Sequence, residues 1–258
     1  MDNPTPPIII VLDHVKPENR WKIPDRRGGR TFYAAGFLGA EGRERDHQDY
    51  AAELLAKILK ERHGVDVKII APETFGSYDA YDDYIRDRSN ENVIIIPLHF
   101  DAEVGRGGVG FLTRVRPGDK EDKKLAERIS IALKVFQNVY PQLGNFKQTD
   151  SLPNKTLAVA QNAPATLIEL GSMVHWEREF GDNFTETREF RDLIILIADS
   201  LIKKGEPKVV PLWDINYQPD ERNNSSDPLP QNQNQKKFHF YSEKPYKTPQ
   251  VSPLPDLH

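Results

Sequence analysis

NVIIIPLHFDAEVG, residues Asn92–Gly105, decides how this chain folds. Val93–Leu98 is an apolar run of Val, Ile, Pro and Leu, short enough for one strand and apolar on both faces. A strand buried inside a parallel sheet has that character, because helices cover it on either side. The run ends at His99, followed by Phe100 and Asp101. A histidine at the mouth of the most apolar strand points to a site at the sheet's edge.

Outward from this strand the chain alternates strand-like and helix-like stretches. PIIIVLD (Pro7–Asp13) reads as a buried strand. Arg45–Arg62 carries Tyr50, Ala51, Leu54, Leu55, Ile58 and Leu59 at the spacing of one helical face, and Gly64 ends it. Val65–Ile70 reads as a strand and Tyr81–Arg88 as helical. GVGFLTRV (Gly108–Val115) predicts a strand, Leu125–Val139 an amphipathic helix, and Phe190–Lys203 a final apolar helix. TLAVA (Thr156–Ala160) and ATLIEL (Ala165–Leu170) predict two short strands. Such alternation implies an α/β fold, a single three-layer sandwich with a largely parallel mixed sheet flanked by helices. The domain spans residues 7–205. Residues 206–258 are rich in Pro, Asn, Gln and Ser and are expected to form a flexible tail, since they offer too little apolar surface to offset chain entropy.

Composition removes several functions. The formal net charge is -4 and Lys and Arg form no long block, so nucleic acid and anionic membrane surfaces are not expected partners. No apolar run is long enough for a transmembrane segment. The start, MDNPTPP, shows no signal peptide. The chain has no cysteine, which excludes disulfides, thiolate metal sites and a cysteine nucleophile.

Three strand-like runs end in residues that bind metals or move protons. IIIVLD ends in Asp13 and His14, VIIIPL in His99, and ATLI in Glu169. Ligands in open α/β sheets bind beyond the carboxyl ends of the strands. Glu44 sits at the predicted start of the Arg45–Arg62 helix, where free amides favour a carboxylate. A lone strand-end histidine is usually a loop residue, and an acid at a helix start is usually a cap. Glu169 is different, because an acid within PATLIELG is costly unless it is paired, metal-bound or neutral. Two histidines and two carboxylates at one sheet edge suit a mononuclear hydrolytic zinc site: three ligands, an open position and a general base.

These segments resemble the zinc-dependent N-acetylmuramoyl-L-alanine amidases that cleave peptidoglycan. IIIPLHFDA (Ile94–Ala102) resembles the family's histidine-bearing strand end, and APATLIELGSM (Ala163–Met173) its closing glutamate segment. ERDHQDYAAELLAKILKERHGVDVKII, starting at Glu44, resembles its Glu-led helix and following strand. DYIRDRSNENV, GVGFLTR, DKKLAERISIAL and EFRDLIILIADSLIKKG give weaker matches, so the resemblance spans roughly Ile8–Gly205.

The resemblance implies a zinc-exopeptidase-like sandwich, Zn2+ as cofactor, His99 and Glu44 as ligands, and Glu169 as the catalytic carboxylate. The implied reaction is hydrolysis of the amide between N-acetylmuramic acid and L-alanine, with peptidoglycan as substrate and the cell wall as place of action. The chain departs from the family in LDHVKPENRW (Leu12–Trp21), where Asp-x-Gly-His-Gly-Gly is usual. A strict overlay puts Lys16 at the ligand position; a loop two residues shorter returns His14. His14 is the expected third metal ligand, with His47 and Asp13 as alternatives, and Asp13 also as a partner for His14. His175 is expected in a pocket wall. Arg114 and Arg116 follow a strand and could meet acidic groups of the stem peptide, although such arginines are usually solvated. His63, His239 and His258 have no assigned role. The competing functions are another zinc amidohydrolase or exopeptidase acting on small peptides, and a degenerate domain that binds peptidoglycan without cutting it.

Overall fold

Ile8 and Ile10 of strand β1 (Ile8–Val11) pack into one apolar cluster and Ile9 and Val11 into another, because side chains alternate across a strand. Both faces of the sheet are therefore covered. The computed structural model describes residues 5–15, 41–101, 110–150 and 154–202. Its other strands are β2 (Val67–Ile70), β3 (Ile94–Asp101), β4 (Phe111–Arg114), β5 (Phe146–Thr149) and β6 (Leu167–Ser172). The helices are α1 (Glu41–His63), α2 (Tyr78–Arg88), α3 (Lys120–Val139), α4 (Lys155–Val159), α5 (Met173–Phe180) and α6 (Arg188–Ile202).

The strands form one sheet in the order β2-β1-β3-β6-β4-β5. β2, β1, β3 and β6 run parallel; β4 pairs antiparallel with β6 and parallel with β5. Leu55 and Leu59 of α1, Ile129 and Phe136 of α3, and Leu193 and Ile197 of α6 cover one face together with Ile96, Leu98 and Ile168. Tyr78, Tyr81 and Ile85 of α2 and Leu157 of α4 cover the other with Ile95, Leu112 and Leu167. The three-layer mixed α/β sandwich expected from the alternation is the fold observed. Among the described residues, no helix is long and apolar enough to cross a membrane.

β3 keeps its central place despite Pro97, which has no N–H to donate. The proline falls between the isolated Ile95–Ala165 bridge and the ladder to β6 that begins at Leu98 and Ile168. The missing donor thus meets a gap in the pairing.

Three local expectations differ from the structure. TLAVA is not a strand: Asn154 caps a short helix there, its side chain accepting from Thr156 N at 2.7 Å and Leu157 N at 3.3 Å. An asparagine cap outweighs the strand preference of one threonine and one valine. α1 starts at Glu41, so Glu44 lies within the helix and does not open it. β5 and α5 were not expected; FKQT has a single large apolar residue and its faces are only partly buried. The proposed tail, residues 206–258, the glycine-rich start of the predicted Gly108–Val115 strand before Gly110, and Lys16 lie outside the described residues.

Arg116 and Asp122 lock the connection that leads into β6. Asp122 is fully buried and takes Arg116 Nε at 2.6 Å and an Nη at 2.7 Å, and Ala165 N donates to it at 2.7 Å. The same guanidinium donates to the carbonyls of Ala160 and Ala163. Breaking such a buried pair strands the remaining charge, at a cost of about 3–5 kcal/mol. Arg116 is a structural clamp, neither solvated nor offered to a ligand.

Candidate metal centre

Because β1, β3 and β6 are parallel, their carboxyl ends share one edge of the sheet. Alternation then sorts the side chains. Asp13, His99 and Glu169 fall on the face covered by α2 and α4, in line with Val11, Ile95 and Leu167. His99 lies directly across from Glu169 in the β3–β6 register. Glu44 comes from the opposite layer: α1 packs on the other face, and its first described turn brings the carboxylate around the strand ends.

The structure brings His14, Glu44 and His99 together. One donor atom from each lies within 4.8 Å of the other two, a grouping that could hold a metal ion. His14 Nε2 is 3.2 Å and His99 Nδ1 3.8 Å from Glu44 Oε1. The two imidazoles meet edge to face, centroids 5.0 Å apart. Glu44 is 3% exposed and His99 8%. Gln48 Nε2 donates to Glu44 Oε1 at 3.0 Å, one turn along α1, and Phe100 N approaches the same oxygen at 3.3 Å.

Behind His99 stands Asp13. Its Oδ2 lies 3.0 Å from His99 Nε2 and accepts from Asn154 Nδ2 at 3.3 Å. Its Oδ1 accepts from Tyr81 Oη at 3.2 Å and from the Thr156 hydroxyl. With Nε2 engaged by Asp13, the nitrogen of His99 that faces Glu44 is Nδ1. A carboxylate on the far nitrogen of a ligand histidine fixes the ring and raises its basicity. Of the two roles the sequence offers Asp13, metal ligand or partner of His14, the structure shows neither and pairs it with His99. Arg45, next to Glu44, donates to the backbone carbonyl of His14 while bonded to Glu73 and Asp49, and so ties down the loop that carries His14.

Charge in the cluster follows from burial and these contacts. Burial alone would raise Asp13; the bond and charge of His99 and the Thr156 hydroxyl outweigh it and bring Asp13 to about 2. Glu44 is likewise pushed up by burial and pulled further down by both histidines, ending well below the usual range. His99 would lose its proton through burial, but Asp13 and Glu44 hold its pKa well above normal. Asp13 and Glu44 thus hold a positive charge on His99 between two buried carboxylates.

Glu169 behaves in the opposite way. Its Oε2 is buried without a hydrogen-bond partner. Burial raises its pKa to about 7; the charge of His99 opposes the rise, and Glu44 and Asp101 add to it. A carboxylate in that range is suited to taking and returning a proton at neutral pH.

The remaining candidates lie elsewhere. His47 packs on Phe184, centroids 4.4 Å apart, and at 6.1 Å from Phe100, within the aromatic group of the α1 and α6 face. It is not part of the donor group. His175 lies in α5, its Nδ1 buried without a hydrogen-bond partner. His63 pairs with Asp199 at 2.9 Å. His239 and His258 lie outside the described residues. Tyr81, Thr156 and Arg45 have no local pattern that marks them in the sequence; Asn154 alone has a signal, as a cap before a short run.

No protein-family model matches the sequence, and no curated protein does. Solved structures do. The N-acetylmuramyl-L-alanine amidase of Mycobacterium abscessus, in its apo form, superposes with a TM-score of 0.52 at 17% identity, over 76% of this chain and 98% of that one. The chain has the fold of that amidase. The corresponding amidase of Mycobacterium smegmatis gives 0.49 at 14% identity, over 77% and 97%. An N-acetylmuramoyl-L-alanine amidase of Clostridium difficile gives 0.49 at 17%, over 78% and 100%.

Proposed function

We propose that this chain is a zinc-dependent amidase that hydrolyses the bond between N-acetylmuramic acid and L-alanine in peptidoglycan, acting at the cell wall. The observation that carries the reading is the convergence of His14, Glu44 and His99 beside Glu169, whose buried Oε2 has no hydrogen-bond partner among the described residues and whose pKa is raised to about 7. The fold shared with the M. abscessus amidase supports the substrate class. Residues 7–205 form the catalytic unit of this reading.

The donor set fits zinc. Two imidazoles and one carboxylate are the ligands of a catalytic zinc site, and they leave a coordination position open. His14 and His99 would hold the ion through nitrogen and Glu44 through oxygen. Zinc in that place supplies Lewis acidity towards the scissile carbonyl and acidifies water. Asp13 holds the His99 ring with Nδ1 turned towards Glu44. Arg45 fixes the loop of His14. Glu169 accepts the proton of the attacking water and passes it to the departing amine of alanine.

The test is product analysis on purified peptidoglycan with the zinc-loaded protein. New N-terminal alanine, appearing with intact glycan strands, is expected. Cleavage confined to short soluble peptides would instead identify a peptidase or another amidohydrolase. Retention on the wall with no product would identify a binding domain.

A further inference from the structure

We propose that Arg114 receives a carboxylate of the substrate, so that the site selects muramyl peptides whose second stem residue has a free α-carboxylate; this rests on the amidase reading above. Arg114 ends β4 and Arg116 follows two residues later, and the structure treats them differently. Arg116 spends its donors on Asp122, Asp119 and two carbonyls. The Arg114 guanidinium makes no hydrogen bond or ion pair among the described residues, and its Nε is buried without a partner. A partly buried guanidinium carries five N–H donors in a planar fork, a geometry matched by a carboxylate.

Register places this fork beside the site. In the antiparallel β4–β6 pair, Leu112 lies opposite Glu169 and Arg114 opposite Leu167. Leu112 and Leu167 both belong to the cluster on the α2 and α4 face, so Arg114 and Glu169 share that face as diagonal neighbours. They form no ion pair, although the positive charge is close enough to oppose the rise in the pKa of Glu169. A base and a cation with no partner among the described residues thus sit at backbone positions one alternate step apart, roughly 7 Å along the strand. In an extended stem peptide the α-carboxylate of the second residue lies about 6 Å from the scissile nitrogen, one residue further on. The two spacings agree. With Glu169 at the scissile amide, the Arg114 backbone stands about one residue's step away, and its long side chain can reach that carboxylate.

The experiment compares two muramyl tripeptides, identical except that the α-carboxylate of the second residue, a γ-linked glutamate, is free in one and amidated in the other. Calorimetry measures their affinity for zinc-loaded Glu169→Gln and for zinc-loaded Glu169→Gln/Arg114→Gln. The single variant is expected to bind the free acid about tenfold tighter or more, as a charge-assisted pair provides. The double variant is expected to bind the two within about twofold. Removing Arg114 breaks no bond seen in the structure; Arg114→Lys, which lacks the fork, lowers the ratio too and stands in if the glutamine variant does not fold. The same ratio in single and double variants, no preference in the single variant, or no binding of either peptide overturns the proposal. Hydrolysis by the unmodified protein is scored separately. If it cuts neither peptide the amidase reading fails, and the affinity ratio still decides the role of Arg114.

Discussion

Glu169→Gln is expected to lower alanine release from peptidoglycan by roughly 10²–10⁴-fold, the contribution of a general base, with zinc still bound one to one. Glutamine keeps the shape and removes the proton-accepting oxygen. The same substitution is expected to stabilise the metal-free protein, but only at higher pH. The carboxyl has a pKa of about 7 when folded and 4.5 as its ordinary value, so the folded state holds the proton more tightly. Stability from this group is intact at pH 4, falls as pH rises past the unfolded value, and reaches its full deficit above pH 7. Glutamine does not ionise, so its gain is near zero at pH 4 and about 1–3 kcal/mol at pH 8. Denaturant titrations of both proteins at the two pH values measure it. Wild-type turnover in the variant would remove Glu169 from the mechanism; an equal gain at both pH values would show that the buried charge is not the cause.

The second large effect separates two histidines that sequence reasoning left open. His14→Ala is expected to lose zinc under competition from a chelator, with an affinity fall above 100-fold, more than loss of a residue behind a ligand produces. Turnover should vanish with it. His47→Ala is expected to retain zinc at wild-type stoichiometry and to cost at most about 2 kcal/mol of stability. The reason is placement: His14 Nε2 lies 3.2 Å from Glu44 Oε1, whereas the ring of His47 lies against Phe184. Metal analysis after dialysis reads both variants. Zinc loss in His47→Ala and retention in His14→Ala would reverse the assignment.

Where the candidate cluster lies was legible in the chain because strand ends are local features. Apolar runs stop at Asp13, His99 and Glu169, and parallel strands bring such stops to one edge. The α/β architecture followed from the same alternation. Glu44 was legible as an acid near a helix start, although the helix begins three residues earlier. Its approach from the opposite layer was not, since that depends on how α1 crosses the sheet. Nor could any spacing show that Asp13 would serve His99, 86 positions away, in place of adjacent His14. Arg114 and Arg116 look alike in their LTR and VRP contexts. Only the fold gives Arg116 the Asp122 carboxylate and leaves the buried Nε of Arg114 without a partner among the described residues. TLAVA failed for a local reason, because five residues with mixed preferences are decided by their cap.

That cap has a further consequence. Lys155–Val159 is far too short to persist alone as a helix. Asn154 begins it with one end of its amide and grips Asp13 with the other, and Thr156 grips the same carboxylate. The helix and the His99 imidazole are therefore tethered to a single anion. Thermodynamic reciprocity then requires that whatever tightens one tightens the other by an equal amount. Loading the protein with zinc is expected to slow hydrogen exchange at the Ala158 and Ala160 amides, which close this turn onto Asn154 and Thr156; unchanged exchange would mean that the carboxylate serves its two neighbours independently.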